Sequence, residues 1–251
     1  MSRHFQAIAG IGLALGGTLV PSTASAQYNR VPDPNAKRVM VAVFRSGDKG
    51  LGVQAADAVR SRMGSEFPFK QVYVLPKQDI TATLEASGFP VTEALEPHDQ
   101  KALATLLRAD EYITGIATKT PTGVKVEAYL VLARDNALVQ PLGMYDVKGM
   151  GDASSGIAKE LKEARKQLEF EQKCINAARQ QQYDAAIAAA KEGIAAYPKA
   201  TLARICWANV LVTQKAPAAQ QLELAKEIVN LDPKSRPGLA ILAQSYRDTN
   251  Q

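Results

Sequence analysis

The fold is decided by residues 123–133, which read Gly-Val-Lys-Val-Glu-Ala-Tyr-Leu-Val-Leu-Ala. Apolar side chains fall at every second position from Val124 to Leu132, and polar ones such as Lys125 and Glu127 lie between them. Alternation with a period of two is typical of a β-strand that has one face in a core and the other partly in solvent. We therefore predict a strand here, with one buried face.

Two further strand candidates flank this segment along the chain. They are residues 111–117 and residues 137–147, and they are joined to it by residues 120–123 (TPTG) and 134–136 (RDN). Both joints have the composition of hairpin turns. The three segments therefore predict an antiparallel meander.

Upstream of the meander, strand and helix patterns alternate. Residues 39–44 (VMVAVF) are continuously apolar, which favours a strand buried on both faces, and residues 72–75 (VYVL) predict a second short strand. Helices are predicted over residues 51–63 and from Pro97 onward, because apolar residues recur there every three or four positions. This order predicts a mixed αβ, sandwich-like domain over residues 38–150.

Strand patterns end near Gly156, and the following sequence is rich in Ala, Leu, Gln, Lys and Glu. Two helical stretches end alike, at Pro198 and at Pro233, and these prolines lie 35 residues apart. Helical hairpins that recur at such a period cover one another's apolar faces. We predict an all-α array of helical hairpins over residues 156–251, which makes the whole chain α+β followed by α.

Both halves resemble known families. Residues 107–115 (LRADEYITG) and 123–131 (GVKVEAYLV) are similar to strands in the amino-terminal α/β domain of TolB, and the resemblance covers about residues 38–147. The first loop is shorter here, and the β-propeller of TolB is absent. The Tyr-Asp-Ala-Ala start at Tyr183 and the recurring prolines resemble tetratricopeptide repeats over about residues 165–250. These resemblances imply a protein-interaction or sensing module.

Residues 1–26 have the pattern of a secretory signal peptide. A short positive start precedes the apolar residues 5–20, and Ala24 and Ala26 form an A-x-A cleavage site. The apolar run is shorter than the roughly 20 residues that a membrane-spanning helix needs. We expect cleavage after Ala26, a periplasmic or secreted product, a flexible linker over residues 27–37 and no later membrane span.

The charge of the chain limits its partners. It has 30 Lys and Arg against 25 Asp and Glu, a formal charge of +5, with no block of five or six like charges. Such a mild, dispersed charge excludes a polyanion-wrapping tail, so we expect no nucleic-acid partner. The hydrophobic fraction of 46% is enough for real cores and excludes global disorder.

Catalytic patterns are missing from the sequence that follows the signal peptide. His98 is its one histidine, and it lies beside Asp99 at the start of a predicted helix. The pair could act as a general base or a metal ligand. A surface residue in a first helical turn is the favoured interpretation, because no second His or Cys lies at ligand spacing. We expect no enzymatic activity, no bound metal and no cofactor.

Residues 47–52 (GDKGLG) connect a predicted strand to a helix, as phosphate-binding loops do. Their glycine order matches neither nucleotide-binding pattern, and Asp48 would repel a phosphate, so a tight turn is favoured. Five nearby basic residues suit either a patch for anionic polymers or a solvated helix face. They are Lys49, Arg60, Arg62, Lys70 and Lys77.

Cys174 and Cys206 lie 32 residues apart, close to one repeat period. An exported compartment permits a disulfide between neighbouring hairpins, but two buried thiols are an equal alternative, because geometry decides between them. Four aromatic residues are candidates for a partner-binding groove, although at their spacing such residues often fill the core between helices. They are Tyr183, Tyr197, Trp207 and Tyr246.

These patterns together predict a non-enzymatic exported adaptor. It would bind another protein of the cell envelope through the groove of its helical hairpins and through its α/β domain. The alternative is a periplasmic sensor that binds a small ligand or a polyanion, with the helical hairpins as the contact surface of a homodimer.

Overall fold

The computed structural model describes residues 33–48 and 50–249. The predicted signal peptide, linker residues 27–32 and Lys49 lie outside the described residues. The strands are β1 Lys37–Val41, β2 Val72–Val74, β3 Glu111–Thr120, β4 Gly123–Leu132 and β5 Val139–Val147. The helices are α1 Leu51–Glu66, α2 Lys77–Ala86, α3 Pro97–Leu106, α4 Met150–Ala164, α5 Leu168–Arg179, α6 Tyr183–Ala196, α7 Thr201–Thr213, α8 Ala218–Leu231 and α9 Arg236–Asp248. The short 3-10 turn Arg165–Gln167 joins α4 to α5.

The strands form one mixed sheet in the order β2-β1-β3-β4-β5. Strand β1 pairs parallel with β2 and with β3, whereas β3 with β4 and β4 with β5 pair antiparallel. In β4, Val126, Ala128 and Leu130 are buried while Lys125 and Glu127 remain partly exposed, as the alternation predicted. The structure is therefore a mixed α/β fold around a five-stranded mixed sheet.

One face of the sheet, which we call the covered face, packs against helices α1 and α4 and the connection between α6 and α7. Its core contains Val39, Val41, Ile113, Val126, Leu130 and Leu142 from the strands, with Val59, Met63, Ile157, Leu161, Tyr197 and Ala203 from the helical layer. The boundary predicted between the two domains, at residues 150–156, lies at the start of α4 and therefore inside this shared core. All described residues belong to one compact unit.

The opposite face, which we call the open face, is covered only in part. Helices α2 and α3 pack over Met40, Ala42, Tyr112 and Val131. Beyond α3, several side chains of this face remain partly exposed. They are Thr114 and Ile116 of β3 and Lys125, Glu127 and Tyr129 of β4.

Two buried glutamines connect the sheet to the helical layer. Gln167 Nε2 donates to Gln140 Oε1 at 2.9 Å, while the backbone N–H groups of Thr201 and Ala203 donate to Gln140 Oε1 at 2.8 Å and to Gln167 Oε1 at 3.2 Å. The first N–H groups of an α-helix have no partner within the helix. The glutamine pair satisfies two of them at the start of α7 and thereby joins β5, the 3-10 turn and α7.

Helices α5 to α9 continue as a chain of packed neighbours. The pairs α6–α7 and α8–α9 follow each other with starts at Tyr183 and Ala218, 35 residues apart. A disulfide joins Cys174 of α5 to Cys206 of α7, with 6.4 Å between their Cα atoms, inside a cluster of buried side chains. Over residues 33–48 and 50–249, no helix combines the length and the apolar content that crossing a membrane requires.

Candidate functional site

Two neighbouring cavities run along α5, and Glu171 lines both. The first, of about 490 Å³, lies between the loop that precedes β3, the end of β4 and the start of α5. The second, of about 360 Å³, lies between α5, α7 and the turn that joins β4 to β5. Volumes of this size are in the range of ligand sites. We call the two cavities together the α5 groove, with a charged end and an apolar end.

Two ion pairs involving buried carboxylates organise the charged end. Glu111 binds Arg165, and Glu171 binds Arg134 at the point where the two cavities meet. Burial raises the pKa of both carboxyl groups, and the neighbouring arginines oppose part of this rise. Both acids are thus fixed in place by a partner, which leaves their charge largely compensated.

Arg108 supplies the available cation of the charged end. It follows α3 with a left-handed backbone (φ 52), and its carbonyl oxygen accepts a hydrogen bond from Arg38 Nε at 3.0 Å. Its side chain is exposed in the cavity, and no residue of the described chain forms an ion pair or hydrogen bond with its guanidinium. A guanidinium in this position can bind a carboxylate or phosphate with two parallel hydrogen bonds.

The apolar end is built from the facing sides of α5 and α7. Its lining includes Leu138, Ile175, Leu202, Ile205 and Val210, and Tyr183 and Asn209 stand at its rim. Cys206 also lines it, so the disulfide to Cys174 fixes the two helices that form its walls. Walls held in this way lose little conformational freedom when a ligand binds.

The four aromatic residues predicted for a partner groove lie in different places. Tyr183 lines the apolar end of the α5 groove. Trp207 packs against the disulfide cluster beneath Lys191, whose Nζ is 5.1 Å from the ring centre. Tyr197 is in the covered-face core, where its hydroxyl donates to Glu160 Oε1 at 2.7 Å, and Tyr246 is half-buried on α9. A role for these residues in partner binding stays a prediction.

Sequence reasoning missed the residues that shape the charged end. Arg108 and Glu171 are 63 positions apart. Arg108 lies in residues 107–115, which have a strand pattern, and nothing in the sequence marks either residue as part of a charged site. A non-glycine residue with positive φ after a helix is a weak signal, because the sequence alone does not reveal the backbone angle. Only the packing of α5 beside the end of β4 brings the two together.

His98 and the glycine-rich residues 47–52, which the sequence singled out, have structural explanations. His98 is 77% exposed in the first turn of α3, with Nε2 3.2 Å from Asp99 Oδ1. Among residues 33–48 and 50–249, no group of three metal-ligating side chains lies close together. At the second residue of α1, a Cβ atom on Gly52 would lie 2.0 Å from the Phe44 carbonyl oxygen, so this position requires glycine for close packing.

Three of the five residues of the predicted basic patch bind neighbouring acids. Arg60 binds Asp57 and the carbonyl oxygen of Val41, Arg62 binds Glu66, and Lys77 Nζ lies 2.6 Å from Asp57 Oδ2. Cations that already have acidic partners attract a polyanion weakly. This arrangement favours the solvated helix face over the polyanion patch.

Comparisons with known proteins give no family. No family model matches the chain, and no curated protein does. Among solved structures, the C-terminal domain of LpoB from Salmonella enterica matches at 13% identity and a TM-score of 0.37, over 45% of this chain and 84% of that one. PelC from Paraburkholderia phytofirmans matches at 14% identity and a TM-score of 0.30, over 51% and 86%. Lipoprotein GNA1162 from Neisseria meningitidis matches at 18% and 0.31, over 43% and 78%.

These findings correct the resemblances drawn from the sequence. The matching structures are neither TolB nor tetratricopeptide-repeat proteins, so both assignments were wrong. The physical reason is that alternating strands and paired helices with small residues and prolines recur in many unrelated proteins. The TM-scores of the matches are themselves below 0.5, so they assign neither a family nor a function to this chain.

Proposed function

We propose that this protein is a non-enzymatic, exported adaptor of the cell envelope that holds an extended segment of a partner protein in the α5 groove. The observation that carries the proposal is the composition of the groove. An arginine without a partner among the described residues stands at one end, an apolar cavity lies at the other, and Glu171 links the two. A peptide presents an acidic group and an apolar side chain a few residues apart, which this groove accommodates.

Export is supported by two independent features. The sequence of residues 1–26 has the pattern of a cleaved signal peptide. Cys174 and Cys206 form a disulfide, which is a bond that persists in oxidising compartments such as the periplasm. Together they support a periplasmic or secreted location.

A binding role suits the chemistry of the groove better than catalysis does. Its two buried carboxylates, Glu111 and Glu171, are each bound to an arginine and are poorly placed to transfer protons. A nucleophile beside a general base is the minimal set for covalent catalysis. In the part of the chain that the structure describes, the one histidine, His98, lies on the surface, outside the groove.

Site-specific photo-crosslinking in cells tests the adaptor. A photoreactive residue at Gln172 or Asn209, which line the two ends of the groove, should form an adduct with the same partner protein. The matched control is Lys159, which is exposed on α4 and does not line the groove. Adding Arg108→Glu should abolish the adducts, because it reverses the charge that meets the partner. Equal adducts at Lys159, or none at both groove positions, would contradict the proposal.

The alternative, a small-ligand sensor, has one observation in its favour. A separate cavity lies on the open face of the sheet, away from the α5 groove. Its lining shares no residue with that of the groove, so the two sites can coexist in one protein. The described surfaces give no indication of the homodimer that accompanied this alternative.

A further inference from the structure

A cavity of about 270 Å³ lies on the open face, between the sheet, the start of α3 and the turn that joins α8 to α9. Its floor is formed by Tyr112 and Tyr129 with Val131 and Val139, and Asp232 and Lys234 stand on the α8–α9 side. We call it the sheet cavity. Its residues are distinct from those of the α5 groove, so the two sites are independent.

Asp232 is the unusual residue of the sheet cavity. It is only 4% exposed, and its Oδ1 accepts a hydrogen bond from the backbone N–H of Lys234 at 3.0 Å. Within residues 33–48 and 50–249, no lysine or arginine side chain lies at ion-pair distance from its carboxylate. A buried charge without an ionic partner is costly to the fold, and such groups are usually paired.

The cations near this cavity are directed to other acids. Arg45 binds Glu96 Oε1 at 2.9 Å, and Lys234 Nζ lies 4.0 Å from Glu127 Oε2. Both cations line the cavity but pair with glutamates outside its lining, so Asp232 has no ion pair of its own. Burial raises the pKa of Asp232, and the Lys234 backbone N–H and ammonium oppose the rise. The cavity therefore favours a ligand that brings a positive charge.

The floor adds an aromatic contribution. Tyr129 donates its hydroxyl to Glu127 Oε2 at 2.9 Å, so its ring is held against the sheet beside Val131. An ammonium group over a tyrosine ring is attracted by the ring's quadrupole. Apolar side chains around the rings suit a small hydrocarbon body next to that ammonium group.

We propose that the sheet cavity binds a ligand with a primary ammonium group on a small apolar body, the ammonium on the Asp232 carboxylate and the body against Tyr129 and Val131. Two sources supply this chemistry: a free small amine, or a lysine side chain of a polypeptide. The volume of the cavity admits either one.

Calorimetric titration of the mature full chain with four probes tests the chemistry. Benzylamine should bind about tenfold more tightly than benzyl alcohol, a difference of about 1.4 kcal/mol. Benzoate should not bind. Nα-acetyl-lysine methylamide stands for a polypeptide source, and whichever amine binds more tightly identifies the source. Benzoate binding as tightly as benzylamine, or no binding of either amine, overturns the proposal.

The variant Asp232→Asn distinguishes the contribution of the negative charge to binding from its role in the α8–α9 turn. The Asn side chain keeps an oxygen that accepts the Lys234 N–H, so the α8–α9 turn is retained, while the negative charge is lost. Benzylamine affinity should fall about tenfold or more, because a charge-assisted hydrogen bond is removed. The matched control, Asp184→Asn on the exposed start of α6, should leave affinity unchanged. Equal benzylamine affinity in Asp232→Asn and the wild type would refute the site.

Discussion

The two faces of the sheet differ in how completely they are covered. On the covered face, α1, α4 and the α6–α7 connection bury an apolar layer that extends from β1 to β5. On the open face, α2 and α3 cover only β1 to β3 and part of β4, and polar side chains such as Lys125 and Glu127 remain accessible. The same strands supply both faces, because successive residues point to opposite sides.

The covered face mainly stabilises the fold, whereas the open face has room for a ligand. The covered face carries the contacts that join the sheet to the helical layer, so substitutions there should unfold the whole unit. The open face leaves space beside α3, and the sheet cavity with Asp232 lies in that space. A sheet covered unequally can therefore keep a binding surface without exposing its main core.

The largest expected effect comes from truncating a side chain on the covered face. Leu161 of α4 is 0% exposed, and Leu161→Ala should lower the free energy of unfolding by about 4 kcal/mol, because it removes buried contacts and leaves a cavity. Met144 of β5 is 58% exposed on the other side, and Met144→Ala should change the free energy by less than about 0.5 kcal/mol.

Urea unfolding of both variants measures this difference, with an unchanged slope as the check that the unfolded state is the same. Similar losses for Leu161→Ala and Met144→Ala would show that the two faces contribute equally to stability. That result would remove the distinction between them.

The sequence predicted which side chains of β4 are buried, but it did not predict which helices pack on each face of the sheet. Alternation in β4 assigned Val126 and Leu130 to a core, because a period of two is a local property of the chain. The helical pattern after Gly156 predicted helices but did not reveal that the first of them, α4, packs on the sheet. Contacts between distant segments depend on tertiary packing, which a periodic pattern does not encode.

The residues of the candidate sites were even harder to predict from the sequence than the packing of the helices. Arg108 and Glu171 meet only through packing of α5, and Asp232 reads as an ordinary turn residue before Pro233. Gln140 and Gln167 also have no sequence signal, since a glutamine is expected on the surface until its buried partners are known. Polar residues that acquire their role from distant neighbours are the part that the sequence leaves open.

An intermediate effect is expected from breaking the hydrogen bond between Gln140 and Gln167 on the covered face. Gln167→Leu removes the amide that donates to Gln140 and the oxygen that accepts the Ala203 N–H. The buried Ala203 N–H loses its partner, while Gln140 Oε1 keeps the Thr201 N–H. We expect a loss of about 2 kcal/mol in the free energy of unfolding. Gln172→Leu, on the exposed side of α5, is the matched control and should be nearly neutral.

Hydrogen exchange identifies where this loss acts. Amide protection should fall first at the start of α7, where the Thr201 and Ala203 N–H groups depend on the glutamines. If protection falls evenly over the chain, or if Gln172→Leu is as destabilising, the glutamine pair is not the junction between the sheet and the helices.

The smallest expected effect compares two tyrosines, one on each face, that each donate a hydrogen bond to a glutamate. Tyr197 donates to Glu160 at 2.7 Å inside the covered-face core, and Tyr129 donates to Glu127 at 2.9 Å on the open face. Burial raises the pKa of both hydroxyls, so both stay protonated donors at neutral pH. Tyr197→Phe should cost about 1.5 kcal/mol, because a buried bond to a charged group is lost.

Tyr129→Phe should cost less than about 0.5 kcal/mol, because water can replace the hydroxyl at the accessible Glu127 carboxylate. Thermal and urea unfolding of the two variants, measured in the same buffer, compare them directly. Equal costs would mean that the open face is shielded from water as well as the covered face is. That result would also count against open access to the sheet cavity, because Tyr129 forms part of its floor.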